Sequence, residues 1–350
     1  MGSDAWQATS PAIGSPPNPV GVFVGLTTLD TVYRVPHHPG PNEKLAALSQ
    51  DVAAGGPAAN AAVAFAALGG RAILITALGR HPFAQLAAEE LAGRGVHVID
   101  VTADGRTMPA VSSIYVDDRT GERSVVSINE VAEVAVSAGI VDEAMDDASV
   151  VLVDGHHPQL AVAATLSANS RGVPVVLDAG SWKPVLAEVL PGVQIAACSA
   201  DFKLPADFEL PADFELPGIR EHREVQEDED AEDALARELI RSGPASVLIT
   251  HGAGSVRWWD RSGGHGGVAV APIKAVDTLG AGDVFHGALA MATAVIPGAA
   301  LAGRIAMANA IAGLRCRHVG PRAWLDDPEL TAWRGRLGAM VVQTDGGRQG

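Results

Sequence analysis

Six short apolar runs punctuate this chain: VGVFVGL (20–26), AILITA (72–77), VHVIDV (96–101), VVLVD (150–154), VPVVLD (173–178) and ASVLIT (245–250). Between them lie segments of helical composition at residues 60–68, 83–92, 159–169 and 230–241. The first, NAAVAFAAL, is alanine-rich and ends at Gly69-Gly70, a helix stop. Strands that read as continuous apolar runs are buried on both faces, and a helix after each strand leaves a parallel sheet as the natural solution. Ligands of such sheets bind at the carboxyl ends of the strands.

Two regions break the alternation. Residues 31–52 and 109–129 carry strand-like patterns without helices, and DDRTG (117–121) reads as a turn between two strands. Each region looks like antiparallel strand, and the expectation is a small sheet that projects from the main body as a lid. With 350 residues the chain can be one large α/β unit with an appendage or two domains. The stretch ADFKLPADFELPADFELP (200–217) holds three near-copies of a six-residue unit. A proline in each copy excludes a continuous helix, and the period is too short for a solenoid, so a surface-loop expansion is the simpler reading. The acidic run 227–233 reads as a solvated helix N-terminus.

Composition narrows the partners. Asp plus Glu number 41 against 25 Lys plus Arg, a net charge of −16 that repels nucleic acid and anionic lipid. The 47% hydrophobic fraction supports a sizeable core. Two cysteines, Cys198 and Cys316, form neither a disulfide framework nor a metal-spaced pattern and fit a cytoplasmic protein. The first 19 residues, rich in Pro, Ser and Gly, read as a loose arm and not as a signal peptide. No run reaches the roughly 18 apolar residues of a membrane span.

The chemistry concentrates in AVDTLGAGDVFHGAL (275–289). Gly280, Ala281 and Gly282 precede an apolar helical run, and small residues at a helix N-terminus let an anion approach unpaired N–H groups. Asp283, in the same turn, is placed to accept a proton, and Asp277 to orient the loop or hold a cation. A glycine-rich turn packed against a neighbouring helix would explain GAGD alone equally well. The stretch is neither a Walker A loop nor a GxGxxG fingerprint.

At fifteen residues, VDTLGAGDVFHGALA (276–290) closely resembles the C-terminal signature of the ribokinase-like (PfkB) carbohydrate kinases. GGPAAN (55–60), followed by the alanine-rich helix ending in Leu68-Gly69, resembles their N-terminal signature, and the similarity runs from about residue 20 to 325. The resemblance implies a ribokinase-like doubly wound, mostly parallel α/β sheet with helices on both faces, plus a small β-sheet lid. It implies a kinase domain over residues 20–330 with lid strands at about 30–54 and 109–130, and a C-terminal helix end and flexible tail over 331–350.

In the same terms Asp283 would be the catalytic base and Gly280, Ala281 and Gly282 the anion hole. Asp30, Gly56 and Asn60 would bind the sugar, while Thr250, Gly252, Gly254 and Asn309 would approach the nucleotide. Asp30 could equally cap a turn, and Asn309 be ordinary helix surface. Lys183 could reach a phosphate or lie at the surface. ATP and Mg2+ are the implied cofactors, with K+ beside Asp277 and the loop 317–321 as a further expectation, and a homodimer through the lid as the implied assembly.

Two departures from the family pattern stand out. Where members carry Asn-x-x-Glu near Mg2+, this chain has Ser199-Ala200-Asp201-Phe202, and residues 79–84 read GRHPFA where an aspartate and a further glycine are usual. The wording of residues 53–70 and 280–290 is most similar to the sulfofructose-kinase branch, which sets a lid lysine against an anionic sugar group. Lys44 matches that lysine. The branch's arginine has no counterpart at Asp154-Gly155-His156-His157, whose histidines read as structural or general polar contacts. The expected activity is ATP-dependent phosphorylation of a primary hydroxyl of a small carbohydrate. A nucleoside kinase of the same fold, or a non-catalytic sugar or nucleotide sensor, are the alternatives.

Overall fold

A computed structural model describes residues 18–102, 108–128, 138–206, 208 and 230–346. The N-terminal arm up to residue 17 and most of the hexapeptide stretch lie outside the described residues, as do 129–137, the start of the acidic run and the last four positions.

The thirteen described strands are β1 (Val20–Val24), β2 (Thr28–Val35), β3 (Ser49–Gly55), β4 (Arg71–Thr76), β5 (Val96–Asp100), β6 (Ala110–Asp117), β7 (Arg123–Ser127), β8 (Val150–Val153), β9 (Val175–Ala179), β10 (Ile195–Ser199), β11 (Ser246–Thr250), β12 (Val256–Asp260) and β13 (His265–Val268). The helices are α1 (Pro57–Ala67), α2 (Pro82–Gly93), α3 (Ala138–Met145), α4 (Pro158–Ser170), α5 (Leu186–Val189), α6 (Ala231–Arg241), α7 (Ala281–Val295), α8 (Leu301–Cys316) and α9 (Pro328–Gly346).

Nine strands form the main sheet in the order β13-β12-β11-β10-β9-β8-β1-β4-β5. From β11 to β5 every neighbour is parallel, and β12 and β13 close one edge antiparallel. Every residue of β1 is buried, as a central strand covered on both faces requires. Its alternation sorts the core: Phe23 joins the cluster with α1, α7 and α8, while Val22 and Val24 join the one with α4 and α6. Phe23 meets Phe65 of α1 edge to face at 5.4 Å between ring centroids.

The alanines of α1 have a physical reason. That helix crosses α7 at Gly287, where a Cβ would lie 2.3 Å from the Ala61 carbonyl oxygen. Only small side chains on one helix and none at the crossing point of the other allow backbones so close.

The smaller sheet runs β3-β2-β6-β7. The sequence pattern suggested antiparallel strands within each of the two regions, and the structure has them, together with a parallel junction between the two. The hairpins β2–β3 and β6–β7 are antiparallel, but β2 and β6 are parallel, with Thr28 opposite Ala110. The chain passes through α1, β4, α2 and β5 between them, and such a long crossover permits two strands to leave the main body in the same direction.

Candidate active site

Leu279 packs against the small lid core of Val32, Ile114 and Val116, so the lid sits directly on the turn that leads into α7. Arg34 of β2 reaches the Val276 carbonyl with Nη1 at 3.4 Å, and Arg123 of β7 reaches the Thr278 hydroxyl at 3.4 Å. At Gly280 the chain turns into the helix with φ +70°, a left-handed conformation that a side chain would strain. The Ala281 amide donates to the Thr278 carbonyl at 3.2 Å. Among the described residues the amides of Gly280, Gly282 and Asp283 find no acceptor. The open N–H groups are therefore not those of the three small residues alone: the Ala281 amide is engaged, and that of Asp283 takes its place. A Cβ on Gly282 would meet nothing within 4 Å, so the approach to these amides is clear. Three open amides at the start of a fifteen-residue helix form an anion-binding end.

The Asp283 carboxylate accepts a 2.8 Å hydrogen bond from Asn60 Nδ2, across 223 residues of sequence and the α1–α7 crossing. Burial, and next the nearby Asp178 charge, push its carboxyl up to about 6. Asp178 and His286 lie behind it, with His286 Nδ1 2.8 Å from Asp178 Oδ2. Burial alone would depress the imidazole, but the Asp178 charge outweighs it and raises His286. A carboxylate poised near neutrality in a cleft is suited to accept a proton.

Asp30, on β2, shares that cleft with Asn60 and Gly280. Its Oδ1 accepts from the Thr28 hydroxyl at 2.6 Å, and burial raises its carboxyl. A Cβ on Gly55 would lie 1.9 Å from Asp30 Oδ2, so glycine there gives the carboxylate its place. Gly56, with φ +96°, starts α1 beside the β1 exit, where a Cβ would lie 2.3 Å from the Leu26 carbonyl oxygen. Asp154, at the end of β8, braces the same corner: Oδ2 accepts from the amides of Leu26 at 2.9 Å and Ala58 at 3.2 Å. His156 Nδ1 lies 3.2 Å from Asp154 Oδ1, so Asp154 and His156 stabilise the loop. Arg322 joins the cleft from the C-terminal side. It donates to Asn60 Oδ1 at 3.0 Å, the Ala54 carbonyl at 2.7 Å and Glu90 Oε1 at 3.0 Å.

The remaining candidates are spread along the carboxyl edge of the sheet. Thr250 ends β11 and donates to the Cys198 carbonyl at 3.3 Å. The loop after it turns at Gly252, φ +59°, and the Gly254 amide returns to the His251 carbonyl at 3.0 Å. Asn309, on α8, has a buried Nδ2 without a partner among the described residues. Lys183, after β9, makes only a 3.4 Å contact to the Ser181 carbonyl, and Lys44 is exposed on the connection between β2 and β3. No recorded contact joins either lysine to Asp30, Asn60 or Asp283. The Ser199 hydroxyl donates to the Gly180 carbonyl at 3.0 Å, Asp201 is exposed, and Phe202 is buried against Trp182. Asp277 is 2% exposed; its carboxylate accepts from the amides of Leu279 and Gly320, both at 2.9 Å, and faces Arg315.

Sequence reading missed Asp178, His286, Arg322 and Arg315. Asp178 closes an apolar strand, which is where a doubly wound sheet places its chemistry, and that signal was available. His286 stands in the quoted signature, but its pairing with Asp178 is visible only in the fold, and Arg322 and Arg315 are recognisable only through partners that the fold brings to them.

The pfkB family carbohydrate kinase profile matches residues 21–328. A ribokinase of Haemophilus influenzae is 26% identical over 268 residues, covering 75% of this chain and 82% of its own. A solved structure from Agrobacterium tumefaciens, named only provisionally a ribokinase, superposes with a TM-score of 0.72 at 26% identity and covers 91% of this chain and 99% of its own. The ribokinase of Arabidopsis thaliana, solved with ribose and ATP, gives 0.68 at 21% identity, over 92% of this chain and 99% of its own.

Proposed function

Because this chain belongs to the pfkB family and is a sugar-kinase phosphotransferase, we propose that it transfers the γ-phosphate of ATP to a primary hydroxyl of a small carbohydrate. The observation that carries this reading is the Asp283 carboxyl, held near neutrality beside the open amides of α7 and in hydrogen-bond contact with Asn60.

The acceptor lies in the cleft of Asp30, Asn60 and Gly280, and Gly56, at the start of the helix that carries Asn60, is the further substrate-binding position. Asp283 takes the hydroxyl proton as the oxygen attacks, while Asn60 fixes the carboxylate's orientation. The amides of Gly280, Gly282 and Asp283 meet the charge on the equatorial phosphoryl oxygens. Thr250, Gly252 and Gly254 line the approach of the nucleotide, Lys183 is in reach of a phosphate, and the unpartnered Nδ2 of Asn309 is a donor of the kind an adenine would satisfy. The donor chemistry fits Mg2+, which prefers carboxylate and water oxygens: Asp201 is an exposed carboxylate at the end of β10. Bound with ATP, Mg2+ neutralises charge on the phosphates. A lid seated on Leu279 keeps water, the competing acceptor, from that phosphate.

Arg322 and Arg315, the two guanidinium groups at the cleft, are both engaged by carboxylates, Glu90 and Asp277. That favours a neutral sugar over an anionic one, and the ribokinase relatives put pentoses first. Exposed Val52, Val125, Val126 and Ile128 on the outer lid support a homodimer through this sheet. Buried, unpaired Cys198 and Cys316 accord with a cytoplasmic site of action.

The test is ADP release from MgATP over a panel of pentoses, hexoses, ketoses, polyols, anionic sugars and nucleosides, beside Asp283→Asn. Turnover on one acceptor, lowered about 10²–10⁴-fold in the variant, is expected. Silence on every acceptor while ATP still binds would favour a sensor instead.

A further inference from the structure

The resemblance carried an expectation of K+ beside Asp277 and the loop 317–321. The side chains of this chain do not fit it. Arg315, in the last turn of α8, is 1% exposed and directs its guanidinium into the gap between the turn 277–280 and that loop. Its Nη1 donates to the His318 carbonyl oxygen at 2.9 Å and lies 3.5 Å from the Asp277 carbonyl oxygen. Its Nη2 is 3.4 Å from Asp277 Oδ2. The Asp277 carboxylate is completed by the amides of Leu279 and Gly320. Two carbonyl oxygens and a carboxylate oxygen, the hard donors a small cation would gather, thus already surround one positive charge. A second cation among the same oxygens would meet the guanidinium at contact distance, where like charges repel strongly.

We propose that Arg315 is a built-in cation that replaces the monovalent ion, and that phosphoryl transfer by this chain is independent of K+. The proposal rests on the kinase reading above. Arg315 acts as a positioning residue. Its charge neutralises Asp277, ties the turn 277–280 to the loop 318–320, and so holds Gly280 at the left-handed angle that opens the α7 amides. It also adds positive potential behind the anion-binding end. A guanidinium keeps its charge at any working pH and cannot exchange with solvent, so the site is permanently loaded.

The experiment measures ADP formation on the preferred acceptor in tetramethylammonium buffer, with and without added K+. It also measures melting temperature in the same buffers without substrate. A coupled effector typically moves a binding constant by about fivefold or more; here wild-type turnover and KM for ATP are expected to change by less than about twofold and the melting temperature not at all. Arg315→Ala is expected to lose most of its turnover in tetramethylammonium and to regain both turnover and thermal stability when K+ or guanidinium ion is added. Arg315→Lys, which keeps a charge, stays insensitive to K+ and serves if the alanine variant does not fold. Several-fold activation or stabilisation of the wild type by K+ overturns the proposal, as does a folded Arg315→Ala that K+ neither activates nor stabilises. If no acceptor is phosphorylated in any salt, the kinase reading fails, and the melting curves still decide the cation question.

Discussion

The Asp283 carboxyl ionises near pH 6 instead of its ordinary 3.8, and that displacement acts on catalysis and on stability in opposite directions. In its proposed role as base it must be ionised, so kcat/KM is expected to rise with pH through a midpoint near 6. Asp178 is the charge that most raises it, so Asp178→Asn should move the midpoint of that pH profile to more acid values. An unmoved midpoint would remove Asp178 from the account. For stability the sign is reversed. A folded-state value above the unfolded one favours folding fully below 3.8, and the benefit is lost as pH rises through about 6. Asp283→Asn, although slowed as a kinase, should therefore be more stable than the wild type above pH 6, by roughly 1–3 kcal/mol, and calorimetry at pH 5 and pH 8 would show the gap opening with pH. Arg315 belongs to the same scale: a single buried guanidinium, one per cent exposed, does work that the resemblance assigned to a dissolved ion.

Among the elements, α7 carries two glycines with different duties. Gly282 faces open space, whereas a Cβ on Gly287 would lie 2.3 Å from the Ala61 carbonyl. Gly282→Ala should leave the urea midpoint unchanged or slightly higher while turnover falls, because the methyl group intrudes on the open amides. Gly287→Ala should lower both, since pushing α1 off α7 separates Asn60 from Asp283; overpacking of this kind destabilises by about 1–3 kcal/mol. Equal stability in the two variants would refute that division. Among the main-sheet strands, β5, at the sheet edge, was legible in the sequence from its alternation although only Val96 in it is fully buried. The other legible ones, β1, β4, β8, β9 and β11, are largely buried and spell it in apolar, β-branched runs. β10, IAACS, is just as buried but built of small residues, and β13, HGGV, is an edge strand of mostly glycine, so neither announces itself. The parallel pairing of β2 with β6 was hidden because alternation along a strand fixes its faces and says nothing of its neighbour's direction. Of the candidate site, Asp283 and Asn60 stand in the two signature motifs and Asp30 closes the separate stretch GLTTLD (25–30), while Arg322 and Arg315 act through contacts that only the folded chain creates.

At the scale of the whole molecule, the outer end of the lid leaves Val126 67% and Ile128 66% exposed. Side chains of that kind on a short sheet are normally covered by something. A second copy is the expected cover, so sedimentation should show a concentration-dependent dimer that Val126→Glu shifts to monomer. A wild type that stays monomeric at every concentration would dismiss it. The two faces of the main sheet differ in how the chain supplies them. One is covered by α4 and α6 from the middle of the sequence; the other needs α1 from near the start and α7 from near the end. During synthesis, α1 can pack at once on β1 and β4, but the face that meets α7 stays bare while more than two hundred further residues are added. The nascent chain therefore grows by that length with one face of its first signature uncovered, a natural client for a holding chaperone, and its candidate site is assembled only once α7 has followed.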